Sequence, residues 1–254
     1  MAPVPNPDAH KSPPLHLKCL DLSHKGSRRF FSRSISPYDA LDVACQQVLR
    51  VLYPSRPRNE NGASSNVDAT TFEAPAIRSI TLHLAPFDGI AYTCGSDIDF
   101  LHKELHLSTK YLTDVDEDRV DDEIKGVMVH ELVHAFQWDG SKHGGGVPGG
   151  VIEGIADWVR LKVQLAPPHW HEGGDKWDAG YQTTAYFLAW LERRFQRPTL
   201  VPELNMALKN HGWDDGKHLK RLCGGEKPQD LWQAYLKELR REESAPAPVP
   251  THRA

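Results

Sequence analysis

The sequence has few cysteines, and none of the four stands in a C-x-x-C pair. They are far apart along the chain, at Cys19, Cys45, Cys94 and Cys223. This spacing offers no pattern for a structural zinc knuckle or a dithiol redox centre. We therefore expect all four to be buried free thiols.

Other absences argue against two further classes of protein. No run approaches the roughly 18 consecutive apolar residues of a membrane span, so we expect no membrane partner. The formal net charge is -4, from 30 Lys and Arg against 34 Asp and Glu, which provides no positive field for nucleic acid.

The first residues lack the apolar segment of a secretory signal. We expect a chain that is cytoplasmic or exported by an unconventional route.

Length and composition permit a single catalytic domain. A chain of 254 residues is long enough to bury the continuous core that an active site needs. Residues 1–14 and 242–254 are rich in Pro, Ala and charge without apolar periodicity, which predicts two disordered tails. The folded domain then spans 15–241, with a surface loop at 54–75. We expect it to act as a monomer.

Hydropathy patterns predict early strands and late helices. Apolar residues recur at helical spacing in six segments, which are 37–53, 123–138, 151–163, 183–196, 202–210 and 228–241. Segments 78–84 and 89–93 read as two strands around a turn, and 104–108 alternates as an edge strand does. This order of elements predicts an α+β fold.

The second predicted helix carries two histidines one turn apart, His130 and His134, in the string HELVH. Positions i and i+4 share a helix face, so both imidazoles can bind one ion at about 2.0–2.1 Å. Glu131 lies about 100° round the helix, where it can reach a water molecule at the ion without binding the ion, as a general base requires. Such a string also arises by chance in a chain with 14 histidines, so a third ligand is needed.

The third ligand is expected on the next helix. The metzincin pattern H-E-x-x-H-x-x-G-x-x-H is excluded, because Gln137 replaces its glycine and Gly140 replaces its third histidine. The helix at 151–163 instead contains Glu153 and Asp157, again one turn apart. Glu153 would complete a His₂Glu site, and Asp157 would accept the N–H of a ligating imidazole.

The alternative for Glu153 and Asp157 is a solvated helix face, where they would pair with Arg160 or Lys162. Their neighbours on the helix are apolar, and burying two carboxylates there would cost several kcal/mol without a cation or strong hydrogen bonds. A flexible glycine-rich segment at 144–150 could bring the two helices together. Three other histidines compete weakly for the metal and are left out: His143, His169 and His171.

These motifs resemble known metallopeptidases. HELVH followed by EGIAD is similar to the gluzincin arrangement, of which thermolysin is an example. Five strings resemble the basic secretory protein family, zinc metallopeptidases first named in plants and also found in fungi and bacteria. They are SITLHL at 79–84, DGIAYT at 88–93, HELVHAFQW at 130–138, PGGVIEGIADWVR at 148–160 and GYQTTAYFL at 180–188.

The resemblance implies a zincin-like fold, with a small mixed sheet on the active-site helix and a helical C-terminal part. It also implies one Zn²⁺ held by His130, His134 and Glu153, with Glu131 as the base. The family name describes basic, secreted proteins, whereas this chain is slightly acidic and shows no signal segment. The resemblance therefore informs the chemistry more than the location.

The predicted function is zinc-dependent hydrolysis of a peptide or protein substrate. Glu131 would take a proton from water and deliver it to the leaving amine. Tyr181 is the candidate donor to the developing oxyanion, against the alternative that it packs at a helix start. The strand at 104–108 would align an extended peptide.

Two other functions stay open from the sequence. One is a catalytically inactive metal-binding or defence-related protein on the same fold, against which the intact Glu131 argues. The other is a metallohydrolase that acts on a non-peptide amide or ester.

Overall fold

The computed structural model describes residues 11–33, 36–55, 72–141, 146–214 and 216–244. Most of the predicted loop and tails lies outside these ranges, and so does His143. The strands are β1 (Leu15–Cys19), β2 (Ser79–Ala85), β3 (Ala91–Gly95) and β4 (His102–Ser108). The helices are α1 (Lys25–Phe31), α2 (Pro37–Leu52), α3 (Thr109–Asp114), α4 (Val120–Phe136), α5 (Gly149–Lys162), α6 (Tyr181–Arg194), α7 (Leu200–His211), α8 (Lys217–Leu222) and α9 (Pro228–Glu243).

This order confirms the α+β class, with strands early and helices late. All six predicted helices are present with shifted ends, and they correspond to α2, α4, α5, α6, α7 and α9. Four short elements of five to seven residues were not predicted, namely β1, α1, α3 and α8. Within the described ranges, no helix has the length and apolar character needed to cross a bilayer.

The four described strands form one mixed sheet in the order β1-β2-β4-β3. β1 and β4 each pair in parallel with β2, whereas β3 runs antiparallel to β4. Segments 78–84 and 89–93 are strands as predicted, but they do not pair with each other, because β4 lies between them. The expectation of an edge strand at 104–108 is wrong, since β4 is interior and β3 is at the edge. A strand with one buried face alternates in hydropathy whether it lies in the interior or at the edge of a sheet.

The two faces of the sheet differ in burial. Leu82 of β2 and Leu105 and Leu107 of β4 are almost completely buried in the core. The alternate positions, such as His83 and His106, point to the opposite face and are half-buried. α4 packs on β3 and β4, and α2 and α5 pack on α4. α4 therefore lies inside the protein, with buried residues on most of its surface.

Local signals account for how the central helices begin. The Ser36 side chain accepts a hydrogen bond from the backbone N–H of Asp39, and Pro37 occupies the first turn of α2. The first turn of α4 carries Asp121, Asp122 and Glu123, whose negative charges complement the positive end of the helix dipole. α4 begins at Val120, three residues earlier than predicted.

α5 begins within the glycine-rich segment, which the sequence interpretation placed before the helix. Gly149 and Gly150 are its first two residues. A side chain at Gly150 would overlap the backbone carbonyl of Asp178, and one at Gly154 would overlap the Thr184 side chain. These glycines therefore let α6 and the segment before it approach α5 closely.

All four cysteines are free thiols, but they are not all buried. Cys45 and Cys223 are buried, whereas Cys19 is half-buried and Cys94 is exposed. The expectation of burial is wrong for Cys94, because it lies on edge strand β3 on the face away from the core.

Candidate metal centre

The candidate centre lies where α4 packs against α5. His130 and His134 are one turn apart on α4, and Glu153 lies in the first half of α5. The imidazole rings of the two histidines are 4.9 Å apart between centroids, at an interplanar angle of 82°. Neighbouring helices thus bring together three side chains that the sequence analysis grouped as ligands.

Three ligand atoms converge on one point between the helices. Nε2 of His130 lies 3.2 Å from Nε2 of His134 and 3.1 Å from Oε2 of Glu153. Nε2 of His134 lies 3.5 Å from the same carboxylate oxygen. Ligands at about 2.0–2.1 Å from a tetrahedral ion are separated by about 3.3 Å, so these distances match a single bound cation.

The other ring nitrogen of each histidine has a hydrogen-bond acceptor. Nδ1 of His130 lies 2.6 Å from Oδ1 of Asp157, and Nδ1 of His134 lies 3.1 Å from Oε1 of Gln137. Nε2 of Gln137 donates to the carbonyl of Ile152 at 3.4 Å, which orients the amide with its oxygen towards His134. Both Nδ1 atoms therefore carry hydrogen, which leaves both Nε2 atoms, on the side of Glu153, to bind an ion.

The donor set fits a divalent cation, because two imidazole nitrogens and one carboxylate oxygen meet at one point. Without an ion, protons between the Nε2 atoms and Glu153 must take its place. Burial alone would lower the pKa of His130, but its hydrogen bonds to Asp157 and Glu153 outweigh burial and raise it to about 9. Burial alone would raise the pKa of Glu153, but hydrogen bonds from both histidines lower it to about 2. Two imidazoles and one carboxylate are zinc-type ligands.

Glu131 lies beside this group and is not one of its three ligand residues. It is only 6 % exposed, and this burial raises the pKa of its carboxyl above the usual value. The Thr93 hydroxyl lies 2.9 Å from Oε2 of Glu131 and 2.9 Å from its backbone carbonyl. Thr93 thus links the carboxylate to edge strand β3.

Tyr181 is the first residue of α6 and is 58 % exposed. Its ring lies nearly parallel to that of His130, with centroids 6.1 Å apart. Its φ of 47° is in the left-handed region, which costs a bulky residue about 1–3 kcal/mol. Gln164 and Gln196 also have positive φ, but they follow helix ends, where this conformation is common.

A cavity of about 650 Å³ opens over the centre. Its lining includes the three grouped ligand residues, Glu131, Asp157 and Tyr181, together with Ala91 and Thr93 of β3. His169 also lines this cavity, but it is not in the candidate ligand group. A second cavity of about 610 Å³ shares Thr93 and His134 with the first, so the cleft continues on both sides of these residues.

Sequence reasoning missed two residues that contact the centre. Gln137 entered only as a departure from the metzincin pattern, although its position three residues after His134 on the same helix turn was a usable signal. Thr93 lies on β3, whose position at the sheet edge beside β4 was not predicted, and no local sequence signal indicated a contact with Glu131.

Comparison with known proteins identifies a family over most of the chain. Residues 12–235 match the family BSP, described as peptidase of plants and bacteria. No curated protein and no solved structure matches the chain. The family match confirms the resemblance to the basic secretory proteins. Because it covers far more than half of the 254 residues, the chain belongs to the BSP family of peptidases of plants and bacteria.

Proposed function

We propose that this protein is a zinc-dependent peptidase whose metal is held by His130, His134 and Glu153. The observation that carries the proposal is the convergence of their three ligand atoms within 3.1–3.5 Å of one another. The hydrogen bonds of Asp157 and Gln137 on the far sides of the rings support it, because such partners fix the tautomer that binds metal.

In this mechanism Glu131 is the general base. A zinc ion bound at the centre would lower the pKa of water and polarise the substrate carbonyl. Glu131 accepts the proton of the attacking water and then delivers it to the leaving amine. A raised pKa makes the carboxylate a stronger base towards water, and the protonated carboxyl is still more acidic than an ammonium ion, so it can pass the proton to the amine.

Tyr181 is proposed to donate a hydrogen bond to the oxygen of the carbonyl as charge develops there. It lines the same cavity as the ligands, and its strained backbone holds the ring beside His130. Strain of this kind persists where surrounding packing enforces it and is concentrated at functional sites. The close approach of Gly150 to the segment before Tyr181 provides that packing.

The shape of the cleft favours an extended peptide over a small amide or ester. The edge strand β3 lines the cleft with Ala91 and Thr93, and an edge strand can align a peptide through backbone hydrogen bonds. β3 therefore replaces the strand at 104–108 in this role. Space on both sides of Thr93 and His134 accommodates residues before and after the cleaved bond.

The test compares the wild-type protein with Glu131→Gln on an unstructured protein substrate. Metal-free protein is expected to be inactive and to regain cleavage when zinc is added. Glu131→Gln is expected to lose about 10²–10⁴-fold in kcat while it still binds zinc. The matched control is Glu238→Gln on the exposed surface of α9, which is expected to cleave at the wild-type rate.

Two results would contradict this proposal. Equal cleavage by wild type and Glu131→Gln would remove Glu131 as the base. Full zinc binding without cleavage of any protein or peptide would favour the alternative, an inactive metal-binding protein on the same fold.

A further inference from the structure

A second group of metal-binding side chains lies on the opposite face of the sheet. It consists of His83 on β2 and of Glu104 and His106 on β4. Thr93 of β3 and Leu105 of β4 pair with each other and lie on the sheet face towards α4. The three side chains of the second group alternate along their strands with core residues, so they point to the other face. The sheet therefore separates this group from the candidate peptidase centre.

Strand register brings the three side chains together. His83 and His106 are direct partners in the parallel pair of β2 and β4. Glu104 precedes His106 by two residues and so points to the same face. Its Oε2 lies 3.2 Å from Nε2 of His106 and 3.8 Å from Nε2 of His83. One ligand atom from each residue lies within 4.8 Å of the other two, so shifts of about 1–1.5 Å and the rotation of one ring would close them around an ion.

The two imidazoles are stacked on one another. The rings of His83 and His106 are 4.5 Å apart at an angle of 21°. On the other side of His106, the Tyr92 ring stacks at 4.4 Å and 6°. The histidine side chains are only 14 % and 16 % exposed. Because an imidazole binds a metal in the plane of its ring, one of the two rings must turn out of the stack for both to bind one ion.

We propose that His83, Glu104 and His106 form a second metal site, selective for a borderline transition-metal ion such as Zn²⁺. Imidazole nitrogens favour Zn²⁺, Cu²⁺ and Ni²⁺, whereas Ca²⁺ and Mg²⁺ take oxygen ligands. With three protein ligands, of which the Glu104 side chain is 33 % exposed, solvent completes the coordination. The bound ion joins β2 to β4 on the sheet face opposite the candidate peptidase centre and has a structural role.

The test is zinc binding by metal-free protein in equilibrium dialysis with elemental analysis. We expect two zinc ions per wild-type chain and one in the double variant His83→Gln/His106→Gln. We expect one zinc ion in His134→Ala as well, and none when all three changes are combined. Because each set of changes removes one ion separately, a failure at either site is distinguishable from a failure at the other.

The matched control is His102→Gln, which removes an imidazole from the same strand outside the cluster. It is expected to keep two zinc ions. A conservative second variant, Glu104→Gln, guards against misfolding of the double histidine variant, and circular dichroism checks the fold of each protein. Glu104→Gln is expected to weaken zinc binding at this site at least tenfold.

A thermal melt provides a second measurement, because an ion that binds only the folded state raises Tm. In the His134→Ala background, zinc is expected to raise Tm, and His83→Gln/His106→Gln is expected to abolish that rise. The inference is overturned if the folded double histidine variant binds as much zinc as wild type. It is equally overturned if Glu104→Gln leaves zinc affinity unchanged in the His134→Ala background.

Discussion

Oδ1 of Asp157 lies 2.6 Å from Nδ1 of His130, and the Asp157 residue is only 3 % exposed. An ionised carboxylate only accepts hydrogen bonds, so Nδ1 must carry a hydrogen, and Nε2 is the nitrogen left to bind an ion. One buried carboxylate thereby selects the tautomer of a histidine on the neighbouring helix. The same contact fixes the direction in which Nε2 points, which is towards Glu153.

From this contact we predict that Asp157→Asn weakens zinc binding at the candidate centre by about 10–100-fold. The neutral amide is a poorer acceptor and can present its NH₂ group to the ring, which would favour the wrong tautomer. Competition with a chelator of known affinity measures the change. In the His83→Gln/His106→Gln background, the measurement reports on this centre alone.

The control is Asp122→Asn, the same chemical change at a half-exposed residue of α4 that pairs with Arg119. It is expected to leave zinc affinity unaltered. If Asp157→Asn bound zinc as tightly as wild type, Asp157 would not orient His130.

A second prediction concerns Gln137 and His134. Gln137→Leu removes the acceptor of Nδ1 of His134 and is expected to lower zinc affinity about tenfold. This is the lower end of the range of about 10–100-fold for residues that hydrogen-bond a metal ligand. Gln137→Glu restores an acceptor and is expected to recover most of the affinity. The same chelator competition measures both variants, and equal losses in Leu and Glu would refute an orienting role.

The helices around the centre could be predicted because their signals are local. The spacing of His130 and His134 places them on one helix face without any tertiary information. Glu153 and Asp157 are spaced in the same way on α5. Apolar residues around both pairs indicated burial, and the structure places Asp157 in the interior.

The sheet was harder to predict, because pairing joins residues that are distant in sequence. β2 and β3 are consecutive strands, yet β4 lies between them. The alternation of β4 reports one buried face and does not tell an interior strand from an edge strand. The contact of Thr93 with Glu131 and the pairing of His83 with His106 both depend on this strand order, so neither was predicted.

Thr93→Val is predicted to lower kcat about tenfold and to leave zinc content unchanged. The substitution preserves shape but removes the hydroxyl within 2.9 Å of the Glu131 carboxylate. A hydrogen bond of this kind contributes about 0.5–1.5 kcal/mol, and 1.36 kcal/mol in the barrier is tenfold in rate. Steady-state kinetics measure the effect, and Thr93→Ser is expected to restore the rate. If kcat of Thr93→Ser were as low as that of Thr93→Val, the hydroxyl would not be the group that supports Glu131.

Glu192 on α6 leads to a prediction for stability against pH. Burial raises the pKa of its carboxyl, against smaller opposite effects of Lys162 and Trp158. The folded state therefore holds this proton more tightly than the unfolded state. Stability from this group is fully present below the unfolded pKa and falls as pH rises through the higher folded pKa.

Glu192→Gln removes this dependence. The free energy of unfolding of the variant minus that of wild type is expected to be more favourable to the variant at pH 8 than at pH 4. Urea unfolding across that range measures this difference. Glu238→Gln, on the exposed surface of α9, serves as the control and is expected to follow wild type at each pH. A difference between Glu192→Gln and wild type that does not change with pH would be inconsistent with the proposed cause.

Tyr181→Phe separates the proposed hydrogen bond from the packing of the ring. Phenylalanine keeps the ring beside His130 and the positive φ, so the fold and zinc content are expected to remain as in wild type. Without the hydroxyl, kcat is expected to fall about 10²–10³-fold, the usual effect of losing one donor to a developing oxyanion, while KM changes little. Tyr186→Phe makes the same change on the same helix but outside the cavity lining, and it is expected to keep full activity. Wild-type kcat in Tyr181→Phe would show that the ring serves packing alone, and another donor would then have to face the carbonyl oxygen.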